Sequence, residues 1–593
     1  MAIFPDLFYF SAYSIRSAIF ERKDDNKFMA TNISYQDKPW LKSYQKGVPE
    51  HINYEEICMP DVLARTVAEF PKNVALIFEG YKLNYTEFKE MVDRFAACLT
   101  DFGIKKGDAV AILLPNMIPC VAAFFAVLKL GAIVVMNNPL YSDRELEYQF
   151  NNSGAKVLIT IDLLGNRMID LRPRTPIKQI VITSIGDYLP FPKNILFPLV
   201  AKKKKLAADV KAADDVYRWK DIMTKYSPQP AQVKIAFNDV AMYQYTGGTT
   251  GISKGVELTH ANLYKQAQQI IAWFPSLYNK GKESVLGALP YFHVFGMSCS
   301  MNFCVVMGWA QILIPRPQPD AILKAIKKFK PSFTPLVPTM YIGLLNHPDL
   351  KKTDMSYIKG AFSGSAPLPV EVIRDFENIT KGVIVEGFGM TETTPVTHIN
   401  PFADGARKVG SIGLPISDTL CRIVDLEEGT KDMPVGERGE LIIKGPQVMR
   451  GYKDNPSETA NALRDGWIYT GDIATMDEDG YFYIVDRKKD MIITGGYNVY
   501  PRDIDEVFYM HPKVQEACAI GIPDPKRGEN IKVFVVLKEG QTATAEELME
   551  FAKTHLAVYK LPTEIEFRRE LPKNNVGKIL RKELRAEELK KRK

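Results

Sequence analysis

Tyr245-Thr-Gly-Gly-Thr-Thr-Gly-Ile-Ser-Lys-Gly255 decides how the rest of the chain is read. It follows a strand-like run, Val240 to Tyr245, and packs three glycines and three threonines into the six residues Thr246 to Gly251. Ser253 and Lys254 come directly after. Glycines let a backbone bend and approach a ligand closely. Backbone N–H groups and hydroxyls can then surround phosphate oxygens while a lysine balances their charge. The spacing is not GxxxxGK[ST], so this is not a Walker loop.

Outward from this loop, short apolar runs alternate with amphipathic segments. Val110–Leu114 and Val157–Ile161 read as buried strands, with a helix between them around Val121–Leu130. That alternation predicts α/β layers built on parallel sheets. Residues 186–235 break the pattern and read as a solvated loop leading into a helix. Within them, Leu189 to Lys205 joins an apolar patch to the lysine run Lys202–Lys205, a composition suited to an anionic lipid surface. The last hundred residues read as a separate α+β unit. Its strands are Tyr481–Val485, Met491–Thr494 and Ile531–Leu537, and Pro501 opens a helix. A capping box is expected at Thr544–Glu547, and a basic helix from Ile579 to Lys593.

Bulk properties restrict the function. At 593 residues the chain exceeds what one core supports. Lys+Arg 76 against Asp+Glu 70 leaves only +6, too weak over this length to argue for nucleic acid. Seven cysteines with no CxxC pair read as reduced thiols of a cytoplasmic protein. The histidines form no HExxH. Val121–Met136 carries Lys129, and Met297–Pro315 is broken by Ser298, Ser300, Asn302 and Gln311, so both read as core rather than as membrane spans. The aromatic-rich first residues lack a basic n-region and a cleavage site, and Met29 is a second plausible start.

The loop at Tyr245 resembles the signature of the adenylate-forming superfamily of acyl-CoA synthetases, luciferases and peptide-synthetase adenylation domains. The similarity runs from about Pro49 to Arg585, and within the superfamily it points to bacterial long-chain fatty acid–CoA ligases. It implies a large N-terminal domain of layered α/β subdomains plus a distorted β-barrel, and a small mobile α+β C-terminal domain. The expected division is an N-terminal arm over 1–48, a large domain over 49–488 and a small domain over 489–593. ATP, Mg²⁺ and coenzyme A are the implied cofactor and co-substrates, with a fatty acid as the acyl donor.

The resemblance also assigns residues. Thr246, Gly247, Gly248, Thr249, Thr250, Gly251 and Lys254 would hold the phosphates. Gly364, Ser365, Ala366 and Pro367 would line the adenine pocket. Glu386, Gly387, Phe388 and Gly389 match the segment whose aromatic ring stacks on adenine. Phe388 stands where many relatives carry Tyr, and the ring face suffices for stacking. Thr391 would contact the α-phosphate, and Glu392 with Thr246 would hold Mg²⁺. Asp472 and Arg487 match ribose contacts. Lys578, in Leu571-Pro-Lys-Asn-Asn-Val-Gly-Lys-Ile579, matches the adenylation lysine. Lys489 matches a hinge, and Gly495 and Gly496 a pantetheine passage. His293 occupies the place of an Asp that pairs with the substrate ammonium in amino-acid-activating relatives. A buried carboxylate is useful only opposite a cation, so its absence argues against α-amino acids. Trp273 reads as core, with a gate on an acyl tunnel as the alternative. The competing readings are an aryl acid–CoA ligase, a fatty acyl-AMP ligase, or a catalytically silent nucleotide-binding membrane scaffold; a homodimer is left open.

Overall fold

The computed structural model describes residues 34–201, 206–246, 253–402, 406–574 and 577–592. Residues 1–28, the Lys202–Lys205 run and the loop interior Gly247–Gly251 therefore lie outside the described residues.

Two large sheets carry the N-terminal part. The first has eight strands in the order Gly451–Tyr452, Gly255–Thr259, Val240–Tyr245, Ile133–Met136, Ala109–Leu113, Val157–Ile161, Gln179–Thr183, Val216–Arg218. It is parallel from Val240–Tyr245 onward and antiparallel at its Gly255–Thr259 edge. The second has nine, with a parallel centre running from Ile384–Gly389 through Gly360–Ser363, Phe333–Leu336, Ser284–Gly287 and Ala310–Leu313 to Val74–Phe78. The central strands are near-continuous apolar runs because both faces are covered. Helix Ile118–Lys129 is buried from Ile118 to Leu128, on every side. That is the physical meaning of the apolar run that is too short to span a bilayer. No helix among the described residues is long and apolar enough to cross a membrane.

A five-stranded antiparallel sheet stands at the expected barrel. It is built on Leu420–Val424, Gly439–Lys444, Trp467–Met476 and Phe482–Arg487. The segment 34–48 packs onto this region. Trp40 is 1% exposed, with its ring 6.1 Å from Phe482, and the Tyr44 hydroxyl donates to the Pro415 carbonyl at 2.7 Å.

The C-terminal part has its own five-stranded sheet, centred on Val514–Asp524 and Gly528–Leu537, and its own apolar clusters. Helix Pro501–Met510 opens on its proline, and the basic helix runs Arg581–Lys591.

Two expectations are corrected. Residues 186–235 are not simply a loop before a helix, because Val216–Arg218 completes the first sheet as its edge strand. The capping box at Thr544 is only half formed. Thr544 Oγ1 accepts from the Glu547 N–H at 3.2 Å, but the Glu547 carboxylate turns to Lys513 at 2.7 Å. A lysine across the domain outcompetes the local backbone N–H.

Candidate active site

The carboxyl ends of both large sheets open on one cleft of about 3670 Å³, closed on one side by the C-terminal part. Single ligand pockets are usually about 300–1,000 Å³, so the space suits several substrates at once. Thr246, Lys254, His293, Gly364–Pro367, Glu386–Gly389, Thr391, Glu392, Asp472, Arg487, Lys489 and Lys578 all line it. Gly495 and Gly496 do not; they sit on a turn beside Arg527.

The strand Val240–Tyr245 delivers Thr246 to the cleft. Tyr245 is anchored by its hydroxyl, which donates to Asn152 Oδ1 at 2.6 Å, and the Thr246 N–H donates to the Lys254 carbonyl at 3.0 Å. Lys254 is engaged: its ammonium pairs with Glu458 and lies 4.6 Å from the centre of the Tyr452 ring. The Tyr452 hydroxyl in turn donates to Glu392 Oε1 at 2.8 Å, which orients that carboxylate at the cleft wall. Sequence reasoning missed both Tyr452 and Glu458, because they come from a segment about two hundred residues downstream of the loop.

The wall formed by Gly364–Pro367 and Glu386–Gly389 is set by close backbone packing. A Cβ on Gly389 would stand 1.8 Å from the Pro395 carbonyl oxygen, so only glycine lets the strand Ile384–Gly389 fold back against Val396–Ile399. Phe388 lines the cleft, its ring edge-on to His398 at 5.9 Å. Glu386 works behind the wall: its carboxylate accepts the N–H groups of Leu368 and Gly410 at 3.1 and 3.4 Å. Burial pushes its pKa up. Its visible partners hold the Gly364–Pro367 segment in place.

Asp472 and Arg487 face each other across neighbouring strands. Thr470-Gly-Asp472 lies inside the long strand Trp467–Met476, where Gly471 takes a φ of 69° and the register of pairing with Gly439–Lys444 shifts. Such a bulge re-aims the next side chain. Asp472 Oδ1 pairs with Arg487 Nε at 2.6 Å, while Oδ2 is buried with no hydrogen-bond partner. A buried acceptor left unpaired costs about 1–3 kcal/mol, more if charged, so it marks a place for a ligand donor.

Lys578 reaches this pair from the C-terminal part. Its N–H donates to Asn574 Oδ1 at 2.8 Å, and a Cβ on the preceding Gly577 (φ 76°) would stand 2.4 Å from the Thr339 side chain. The lysine loop is thus pressed directly onto the large domain. Lys578 is solvent-exposed within the cleft, yet desolvation by the surrounding protein and the cations Arg487, Arg581 and Lys489 push its ammonium down to about 8, and Asp472 opposes this. Lys489, also exposed to the cleft, is likewise pushed down to about 8, by desolvation from neighbouring protein and by Arg487. Three residues past Lys578, the half-buried Arg581 clamps the buried Asp505, and the Ala519 N–H donates to Asp505 Oδ1 at 2.6 Å.

His293 is neutral at pH 7, because burial pushes it down to about 4. Its Nδ1 accepts the Phe295 N–H at 3.3 Å. Asn116 holds the strand end before it by donating to the Gly287 and Leu289 carbonyls and accepting from the Tyr291 N–H. Another part of the lining forms an aromatic, apolar recess. Phe274, Tyr278, Phe303, Trp309, Phe333 and Phe362 line it, with Trp309 and Phe333 stacked at 4.9 Å. Trp273 is absent from that lining: it is fully buried, edge-on to Tyr44 at 5.0 Å. It is core, and Phe274 is the residue that faces the cleft.

Comparison with known proteins agrees with this geometry. The AMP-binding enzyme family matches residues 63–453, and its C-terminal domain matches 503–578. The chain belongs to the AMP-binding enzyme family. A long-chain-fatty-acid–CoA ligase of Bacillus subtilis (strain 168) is 46% identical over 553 residues, covering 93% of this chain and 98% of that protein. A feruloyl-CoA synthase of Amycolatopsis sp. is 34% identical over 520 residues, covering 87% and 96%. The crystal structure of ATP-bound MatB from Rhodopseudomonas palustris superposes with a TM-score of 0.75 at 28% identity, covering 90% of this chain and 99% of that one. The layered α/β architecture with a smaller C-terminal part is thus that of adenylate-forming enzymes.

Proposed function

We propose that this family member is an ATP-dependent fatty acid–CoA ligase. It joins a fatty acid to AMP with release of pyrophosphate, then transfers the acyl group to the thiol of coenzyme A with release of AMP. One observation carries the reading. A single cleft joins Thr246 and Glu392, the Phe388 wall, the unpaired Oδ2 of Asp472 and the Lys578 ammonium to a neutral histidine and an apolar aromatic recess.

A carboxylate is a poor acyl donor because oxide would have to leave. Attack of its oxygen on the α-phosphorus of ATP gives a mixed anhydride, and adenylate then leaves readily. Two anions must meet, so the protein's task is positioning and electrostatic stabilisation. Lys578 supplies positive charge, Thr391 a hydroxyl, Asp472 an acceptor for ribose hydroxyls and Phe388 a stacking face. Mg²⁺ fits beside Glu392 and Thr246. Among the described residues no cluster of three or more His, Cys, Asp or Glu could hold a metal unaided, so phosphate oxygens and water would complete the shell, as is usual for this ion. When bound, the ion offsets phosphate charge.

The recess has no carboxylate to meet an α-ammonium, which supports an unsubstituted acyl chain. The relatives named long-chain-fatty-acid–CoA ligase point the same way. The aromatic lining and the feruloyl-CoA synthase relative favour an aryl acid as the second reading. Measuring AMP and thioester formation with butyrate, octanoate, palmitate and ferulate separates them. A kcat/KM that rises with chain length supports the fatty acid reading, and a maximum at ferulate replaces it.

A further inference from the structure

Phe388 gives the cleft a flat aromatic face but carries no hydroxyl, so its ring has no hydrogen bond of its own to fix it. Its pose depends on what stands behind it. Directly opposite on the neighbouring strand is His398, and side chains of such a pair leave the same face of the sheet. His398 is fully buried and does not line the cleft. Its ring stands edge-on to Phe388 at 5.9 Å and to Phe482 at 4.9 Å.

Both imidazole nitrogens are engaged. Thr397 Oγ1 lies 2.9 Å from His398 Nδ1, and Cys421 Sγ lies 3.5 Å from Nε2. The Thr397 hydroxyl also donates to the Phe388 carbonyl at 3.4 Å. Thr397 and Cys421 are buried as well. A hydroxyl has one proton to donate, and so has a neutral imidazole. Only one arrangement therefore makes every contact a hydrogen bond. The thiol donates to Nε2, Nδ1–H donates to Thr397, and Thr397 donates to the Phe388 carbonyl. Burial supplies the protonation states this needs: it pushes His398 down to about 3 and the Cys421 thiol well up. The chain of bonds thus runs from the antiparallel sheet, at Leu420–Val424, to the backbone of Phe388 in the nine-stranded sheet.

We infer that His398 and Thr397 are positioning residues for Phe388, holding its ring in place for the adenine base before the nucleotide arrives. The inference rests on the reading of Phe388 as the adenine-facing ring. Thr397→Val keeps the shape and removes the hydroxyl, and His398→Leu removes the ring edge and both nitrogens. Each is expected to raise the KM for ATP, and the calorimetric Kd for α,β-methylene-ATP, by about three- to tenfold, the worth of an aromatic contact. The kcat and the KM values for fatty acid and coenzyme A stay as in wild type, since only nucleotide binding is weakened. Thr397→Ser keeps the hydroxyl and is expected to bind ATP as wild type does. In a Phe388→Ala background Thr397→Val adds nothing further, because both act through one ring. A KM for ATP that rises in Phe388→Ala but not in Thr397→Val or His398→Leu overturns this inference alone. A KM unchanged in Phe388→Ala overturns the adenine-facing reading with it. Full additivity of Thr397→Val with Phe388→Ala, or an equal rise in the KM of every substrate, marks a general structural role and also overturns the inference.

Discussion

Lys578 carries the sharpest residue-scale consequence, because its ammonium is held near the pH at which enzymes work. Desolvation in the crowded cleft, and after it the cations Arg487, Arg581 and Lys489, push its pKa down to about 8, and only the protonated form can offset charge at a phosphate. Since kcat/KM reports the free enzyme, adenylation measured as kcat/KM for ATP is expected to fall as pH rises through about 8. Lys578→Arg retains its charge and moves this limb upward, while Lys578→Ala lowers adenylation by on the order of 10²- to 10³-fold and spares thioester formation from supplied acyl-AMP. Pyrophosphate release across pH checks the first claim, and the two half-reactions assayed apart check the second. Asp472 gives a second prediction from its unpaired Oδ2. Removing a ribose hydroxyl from ATP should cost wild type about 1.5–3 kcal/mol, the worth of a hydrogen bond to a charged group. Asp472→Asn should shrink that penalty, read as kcat/KM for ATP against 2′-deoxy-ATP and 3′-deoxy-ATP.

At the scale of elements, the segment that presents Lys578 is fastened by a buried ion pair rather than by apolar packing alone. Burial pushes Asp505 up to about 7, against the opposing pull of Arg581. Breaking a buried pair by removing one partner costs about 3–5 kcal/mol, because the other charge is stranded. Arg581→Met is therefore expected to lower stability by that order in urea denaturation, and Asp505→Asn with Arg581→Met together should recover part of the loss. The same scale shows what could be read from sequence. The strands around Tyr245 and the helix opening at Pro501 follow from local patterning, whereas Phe482–Arg487 reads as a strand but pairs with Trp467–Met476 in the large part, not in the C-terminal unit to which the sequence assigned it. The bulge at Gly471 and the half-formed cap at Thr544 depend on partners far along the chain, Glu440 and Lys513, which no local pattern specifies. Trp273 reads as core from the sequence and is core, but that its neighbour Phe274 faces the cleft was illegible for a related reason. Helix His260–Trp273 ends between them, so adjacent residues leave in unrelated directions. The recess offers a prediction here. Cys299 lines it within the π-helical turn Met297–Asn302, and Cys299→Phe fills space there. Each buried methylene is worth about 0.8 kcal/mol, so excluding three or four of them lowers kcat/KM for palmitate by about 60- to 200-fold while sparing butyrate.

For the whole molecule, the two half-reactions place opposite demands on one small domain. In the present arrangement Gly577 presses on Thr339, Lys578 lies in the cleft, and the Gly495–Gly496 turn lies outside it. That suits acyl-AMP formation and leaves the turn proposed for the pantetheine passage away from the cleft. The C-terminal sheet keeps its own apolar clusters, while polar links such as Arg438 to Asp503 at 3.4 Å and the Arg502 N–H to Asp486 at 2.7 Å join it to the rest. A small polar interface of this kind is compatible with rotation of one part against the other. Lys489 sits in the short connection Lys488–Asp490, between the last strand of the large part and the first of the small one, and is the proposed pivot. Proline there fixes φ and restricts the residue before it, so Lys489→Pro stiffens the pivot while also removing one ammonium from the cleft lining. The expected result is pyrophosphate exchange within about threefold of wild type and thioester formation slowed tenfold or more, since such closure steps commonly limit turnover. Equal slowing of both half-reactions would mean that Lys489 serves the first step directly, as its place beside Arg487 and Asp472 in the cleft would then require.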